Sequence, residues 1–229
     1  MVIELYAITA HPAPPLPEVA PLRLVVSGSL AGVCGAVSEE APSPEALLRH
    51  ERIVEALMED RNVLPVRYGT RFPDDAAAAR ALDDRHDELA AGLEQIRGAV
   101  ELAVRVLARS DAGATARREQ SPTRDLMPAG GAGAGAGAGA GTAYMRARMR
   151  DSAGESEATS SVHEPLRAIA RTARLSAPAL PGELLRVAYL VDDDAVDAFT
   201  SAVRRVQDEH PSLLITCTGP WPPYSFAER

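Results

Sequence analysis

At 229 residues and 46% apolar content the chain can build one large core or two small ones, and two compact domains are the expectation. Its formal charge of -8 is spread along the chain and every basic residue is an arginine. That argues against a nucleic-acid surface and leaves no lysine for a Walker A phosphate loop or a Schiff base. The cysteines Cys34 and Cys217 stand singly in strand-like runs and read as small core residues of a reduced, cytosolic protein. Glu4 interrupts the first apolar run and no apolar run reaches about 18 residues, so neither a signal peptide nor a membrane span is expected.

Val2 to Ile8 is a β-rich run, closed by a proline-rich segment from His11 to Pro17 that continues neither regular structure. Leu22 to Ser27 and Val33 to Ser38 read as two more strands, joined through Gly28-Ser29-Leu30-Ala31-Gly32 as a hairpin or near-hairpin. The Gly28-Ser29 pair is a turn, because a nucleophile elbow needs a residue between glycine and serine. Ser43-Pro44-Glu45 starts a helix running to about Asp60, with Ser43 as cap and Pro44 in the first turn. Leu47, Val54, Leu57 and Met58 fall on one side of it, with His50 inside that stripe and Ile53 at its margin. No Cys, Asp or second His stands at ligand spacing beside His50, so a hydrogen-bonded core histidine is expected.

Asn62 to Thr70 has strand composition, and Pro65 in its middle points to an edge strand or a bulge. Phe72-Pro73-Asp74 leads into a second helix, where Leu82, His86, Leu89, Leu93 and Ile96 recur at spacings of 4, 3, 4 and 3. His86 is read as core on that spacing. Gly98 ends the helix, and Val100, Leu102, Val104 and Val106 alternate as a half-buried strand. Residues 1–108 therefore read as an α+β domain, an antiparallel or mixed sheet with helices on one face in an elaborated ferredoxin-like layout.

Residues 109–141 are a low-complexity linker or loop, and the G-x-G-x-x-[GA] match inside the Gly/Ala run has no strand leading into it. Residues 142–229 read as a second α+β domain with a helical lead-in. Tyr144 to Arg150 is basic and can be helical, and Leu166, Ile169, Ala170 and Ala173 predict a helix from Glu164 to Leu175. A strand from Leu184 to Val191, a helix to His210 and a strand from Leu213 to Thr218 follow. Asp192-Asp193-Asp194 reads as capping acids at that helix start, since no companion ligand run for a metal is visible. Thr218 to Phe226 gathers the only tryptophan with three of the eighteen prolines. It is expected to form a rigid, buried aromatic plug seating the tail on its own domain, so that Trp221→Ala costs about 3–5 kcal/mol.

Several of these stretches resemble one known family. Leu48-Arg49-His50-Glu51 with Ile53-Val54-Glu55-Ala56-Leu57, and Val63-Leu64-Pro65-Val66-Arg67-Tyr68-Gly69-Thr70 with Phe72, are similar to the N-terminal signature of the gas vesicle accessory proteins GvpF and GvpL. Gly219-Pro220-Trp221-Pro222-Pro223-Tyr224-Ser225-Phe226 resembles the closing motif of that family, and Gly141-Thr142-Ala143-Tyr144-Met145 the start of its second half. The Gly/Ala insertion and the Ser/Glu-rich segment after Tyr144 depart from the pattern, where the family tends to continue as a longer helix. The resemblance implies a non-enzymatic, cofactor-free cytoplasmic protein needed for gas vesicle formation, built of two α+β domains. It also implies contact with the small apolar shell subunit and with other accessory proteins, or a place as a minor shell component.

On that basis Pro65, Arg67, Tyr68 and Phe72 are candidate partner contacts. His50, Gly69, Thr70, Gly219, Pro220, Trp221, Pro222, Pro223, Tyr224 and Phe226 are structural motif positions. The β-edge at Pro65 is a candidate for strand addition by a partner. Two other classes compete: a ferredoxin-like regulatory module that binds a small ligand, and an enzyme leaning on His50, His86 and Arg67.

Overall fold

The computed structural model describes residues 2–37, 43–109 and 159–227. The Gly/Ala run, the Gly141–Met145 stretch and the basic segment from Tyr144 to Arg150 lie outside the described residues. Strand β1 (Ile3–Ala10) is buried at seven of its eight positions, which requires cover on both faces. It sits inside a sheet of order β2 (Leu22–Ser27), β3 (Leu30–Ala36), β1, β4 (Val63–Pro65), with β5 (Arg71–Phe72) also paired to β1. All these pairs are antiparallel, and the β1–β3 register shifts between Leu5 and Ala7, leaving a bulge at Tyr6.

One face of this sheet carries Ile3, Leu5 and Ile8 into a cluster with Leu82, Leu89 and Leu93, from helices α2 (Asp75–Asp84) and α3 (His86–Gln95). The other carries Tyr6 and Val33 against Ile53, Val54 and Leu57 of α1 (Pro44–Met58). Helices therefore cover both faces, where the sequence suggested one. Ser43 caps α1 by accepting from Ala46 N, and Asp74 caps α2 by accepting from Ala77 N. The long helix read from the 4-3-4-3 spacing breaks at Arg85 into α2 and α3. Its leucines stay in register with the core across the break, but His86 leaves it. At Gly32 a Cβ would lie 2.8 Å from Leu5 Cδ1 and 3.2 Å from Leu82 Cδ1, so glycine lets α2 approach.

The strand read as the last of the first sheet, β6 (Ala99–Ala108), instead lies inside the second. That sheet has the order β7 (Thr172–Ser176), β8 (Glu183–Asp192), β6, β9 (Leu213–Trp221), again antiparallel throughout. The change of sheet falls at Gly98, which has φ 61, and not at residue 108. Alternation along β6 specifies which face each side chain takes and leaves the choice of partner strand open. In chain order, both sheets repeat one arrangement: second, third, first, fourth.

Thr172–Ser176 pairs with β8 as a strand, where a helix was expected through Leu175. Among the described residues it follows a π-type turn, Thr159–His163, and the short α4 (Glu164–Arg167). Helix α5 (Val196–Glu209) packs Phe199, Ala202, Val203 and Val206 with Val162 and Leu166 onto β6 and β8. No aspartate side chain caps its start. Asp192 instead accepts from the Arg171 guanidinium, which also donates to the carbonyls of Gln95 at 2.8 Å and Arg97 at 2.9 Å, binding the second unit to the end of α3. Ala99 and Leu190 of the second sheet enter the same apolar cluster as Ile3, Leu5 and Leu89, so the two sheet-plus-helix units share a core.

Inside the second unit, His163 Nδ1 stands 2.8 Å from the Tyr189 hydroxyl, and both residues are buried. Burial holds this histidine below its ordinary range. A lowered folded-state pKa means the unfolded chain binds the extra proton first. Stability is therefore complete above the unfolded value of about 6.5 and falls as pH drops through it toward the folded value. Melting temperature measured against pH should decline below about 6.5, and His163→Asn should flatten that part of the profile.

Candidate functional site

Three stretches far apart in sequence meet around the end of β4. From α1, His50 is fully buried, with Nδ1 2.8 Å from Glu4 Oε1 and Nε2 2.9 Å from the Val66 carbonyl oxygen. It is thus the hydrogen-bonded core histidine its stripe position predicts. Glu4, on β1, also accepts from Gly69 N at 3.3 Å. Burial opposes ionisation of Glu4, but the bonds from His50 and Gly69 and the nearby Arg71 charge outweigh it and hold the carboxyl below its usual range. The rings of Tyr6 and Tyr68 flank His50, with centroids at 5.1 and 5.6 Å.

The second stretch turns tightly after β4. Thr70 N and Oγ1 both donate to the Arg67 carbonyl, at 3.2 and 2.8 Å, and Gly69 has φ 83. This is the glycine position of a type II turn. It aims Gly69 N at Glu4 and carries Arg67 outward, while the Tyr68 ring stays against His50.

The third stretch is the C-terminal tail. Strand β9 does not end at Thr218 but runs through Pro220 to Trp221, which pairs with Glu101 of β6. Gly219, at φ 121, passes the Glu101 carbonyl so closely that a Cβ would lie 2.7 Å from its oxygen. Gly219→Ala is accordingly expected to lose more than about 1 kcal/mol of stability, measured by chemical denaturation.

Beyond Trp221 the buried Pro222 and Pro223 redirect the chain into a short helix, α6 (Tyr224–Ala227). Ser225 donates to the Glu101 carboxylate from N at 2.8 Å and from Oγ at 2.7 Å. Phe226, 2% exposed, enters the cluster shared by the two units, beneath the Arg174 guanidinium at 5.5 Å. Tyr224 packs on the opposite cluster, beside Tyr6 and Ile53. The tail therefore crosses from its own sheet to the first unit and lies along the outer edge of β4. Pro65 does sit on an edge strand, beside which the tail packs.

Trp221 is 44% exposed, which overturns the reading of it as a buried plug. It is the last residue of an edge strand, and the two prolines that follow hand the buried place to Phe226.

Residues 4–228 match the model of the gas vesicle synthesis protein GvpL/GvpF family. The chain belongs to this family. It is 31% identical to gas vesicle protein L of Streptomyces sp. (strain CB03234), over 97% of this chain and 91% of that protein. Gas vesicle protein F of the same strain is 29% identical, over 97% of this chain and 98% of that protein. The fold matches the crystal structure of GvpF from Anabaena sp. PCC7120 with a TM-score of 0.79 at 18% identity, covering 100% of this chain and 98% of that one. GvpF from Microcystis aeruginosa gives 0.75 at 18%, covering 100% and 99%.

This GvpL/GvpF protein is an accessory factor in gas vesicle assembly and not an enzyme. The two candidate histidines, His50 and His86, have structural places on opposite sides of the first sheet. His50 is sealed with Glu4, while His86 is half-exposed at the start of α3, 3.1 Å from Ser29 Oγ and 3.3 Å from Asp87 Oδ1. His86 is thus not the core residue its spacing suggested. Both cysteines are free, and burial pushes the Cys34 thiol up to about 12. Among the described residues no helix is long and apolar enough to cross a membrane.

The candidate partner contacts divide between two depressions. Pro65 and Phe72 line a cleft of about 500 Å³ between the β4–β5 edge and α2–α3, whose other walls include Leu64, Leu82 and Leu89. Tyr68 lines a groove between α1 and the tail, together with Leu47, Glu51 and Tyr224. Arg67 borders both. Sequence reading overlooked Glu4, Glu101 and Ser225. A lone acid inside the apolar run of β1 was the available signal for the first, while the Glu101–Ser225 contact links positions too distant for any local pattern.

Proposed function

We propose that this GvpL/GvpF protein binds the small apolar gas vesicle shell subunit in the cytoplasm and assists its assembly or nucleation together with other accessory proteins. A subunit whose assembled surface faces gas is an aggregation hazard while still in water, and a partner that covers it removes the hazard. The observation that carries this reading is the exposed apolar surface of the first unit at Leu47 and Leu48, beside the groove lined by Arg67 and Tyr68, in stretches that resemble the family's N-terminal signature. The shared strand order, second, third, first, fourth, supports a modified ferredoxin-like plan for each half. Co-expression of the tagged chain with its shell subunit, followed by affinity capture, is the test. Retention of the subunit through washing is expected, and capture of the bare chain alone would remove the proposal.

A further inference from the structure

The two depressions differ in what they offer. The cleft walls are core residues, with Leu5, Leu64 and Leu82 between 2% and 4% exposed, so that space lies largely within existing packing. The groove presents Leu47, 43% exposed, and the depression adjoining it across Glu51 presents Leu48, 62% exposed, with nothing among the described residues covering either. Scattered surface leucines are ordinary, but these two stand beside two further features.

The first is a pair of phenols. Tyr68, from the turn after β4, and Tyr224, from the tail, both line the groove; the Tyr68 hydroxyl is buried without a hydrogen-bond partner among the described residues, while the Tyr224 hydroxyl lies within reach of Glu51. A buried hydroxyl left unsatisfied is costly, and a donor or acceptor from a docked chain would relieve it. The second is charge. Glu51 and Glu55 stand one helical turn apart on α1, and Glu45 joins them around Leu48. Arg52 lines the same surface, donating to its own helix at the Leu48 carbonyl. Burial, then the charge and proximity of Glu51 and the charge of Glu55, push the Tyr224 phenol up. Along this surface Glu45, Glu51 and Glu55 outnumber Arg52 and Arg67.

We propose that the groove between α1, the Arg67–Thr70 turn and the C-terminal tail docks an amphipathic helix of the shell subunit. The apolar side of that helix covers Leu47 and Leu48, and arginine or lysine along its edge meets Glu51 and Glu55. This rests on the shell-binding reading above and adds to it the surface and the chemistry of the docked segment. Apolar anchors with a complementary charged rim are the usual mode for a helix laid in a groove. The rim charges act mainly on encounter and on salt dependence.

The full chain and its shell subunit, co-expressed and captured at low and high salt, provide the test. Wild-type chain is expected to retain the subunit, less so at high salt. Leu48→Asp and the double variant Glu51→Arg/Glu55→Arg are expected to retain roughly tenfold less while melting like the parent, since these positions are on the helix surface. Ala81→Arg, at the cleft, is expected to retain the wild-type amount. Wild-type retention by both groove variants, or loss confined to Ala81→Arg, overturns the groove. Retention indifferent to salt and to the charge reversal overturns its basic partner edge. No retention by the wild-type chain removes the underlying reading as well, which separates the two failures.

Discussion

Phe226→Ala is expected to destabilise the protein by about 3–5 kcal/mol in chemical denaturation, the range for truncating a buried aromatic. The ring is 2% exposed in the cluster that joins Ile3, Leu5 and Leu89 of the first unit to Ala99 and Leu190 of the second, with Arg174 over its face. Removing it opens a cavity at the junction and loosens the tail held by Ser225 on Glu101. Trp221→Ala, at a half-exposed position, should cost clearly less, on the order of 1 kcal/mol. An equal or reversed ranking would mean that the tail is anchored by the tryptophan and that its path across the units is wrong.

His50→Ala is expected to cost a similar 3–5 kcal/mol, by a different route. It leaves the Glu4 carboxylate and the Val66 carbonyl buried and facing a void. The pH dependence distinguishes this from simple cavity formation. In the parent, the Glu4 carboxyl is held low, so its contribution is present above the unfolded value of about 4.3 and lost as pH falls through the lowered folded value. In the variant, Glu4 loses its principal partner, and burial then raises its folded-state pKa. The stability gap between the two should therefore narrow on acidification from about pH 7 to pH 4. A constant gap would show that Glu4 is not the group left exposed to the penalty.

What the sequence made legible was local. The start of α1 at Ser43-Pro44-Glu45 needs only a cap and a proline in the first turn, and both act within a few residues. The inward position of His50 follows from helical spacing alone, and Pro65 marks an edge because it lacks a ladder donor. What could not be read was pairing over distance. Strand β6 alternates in the same way in either sheet, and only its neighbours β8 and β9 decide where it belongs. Thr172–Ser176 followed a helical stripe closely enough to read as its continuation, yet β8 offered an edge that paired it.

The three aspartates looked like caps because acids favour helix starts, but the Arg171 guanidinium takes Asp192 and a 3-10 turn, Asp193–Ala195, takes the rest. Among the aromatics of the tail, size pointed to Trp221 as the anchor. The turn imposed by Pro222 and Pro223 assigns that place to Phe226, which only the path of the chain reveals. The candidate contacts were legible as a stretch, Pro65 to Phe72, and not as a surface. Their division between cleft and groove depends on α1 and the tail arriving from opposite ends of the chain.

The most direct measurement is complementation in a vesicle-forming host from which this gene has been deleted. Vesicles scored by electron microscopy should be absent in the deletion strain, restored by the wild-type chain, and not restored by Leu48→Asp at equal protein level. Normal vesicles in the deletion strain, or full restoration by Leu48→Asp, would contradict an accessory protein that works by docking the shell subunit on α1 and the tail.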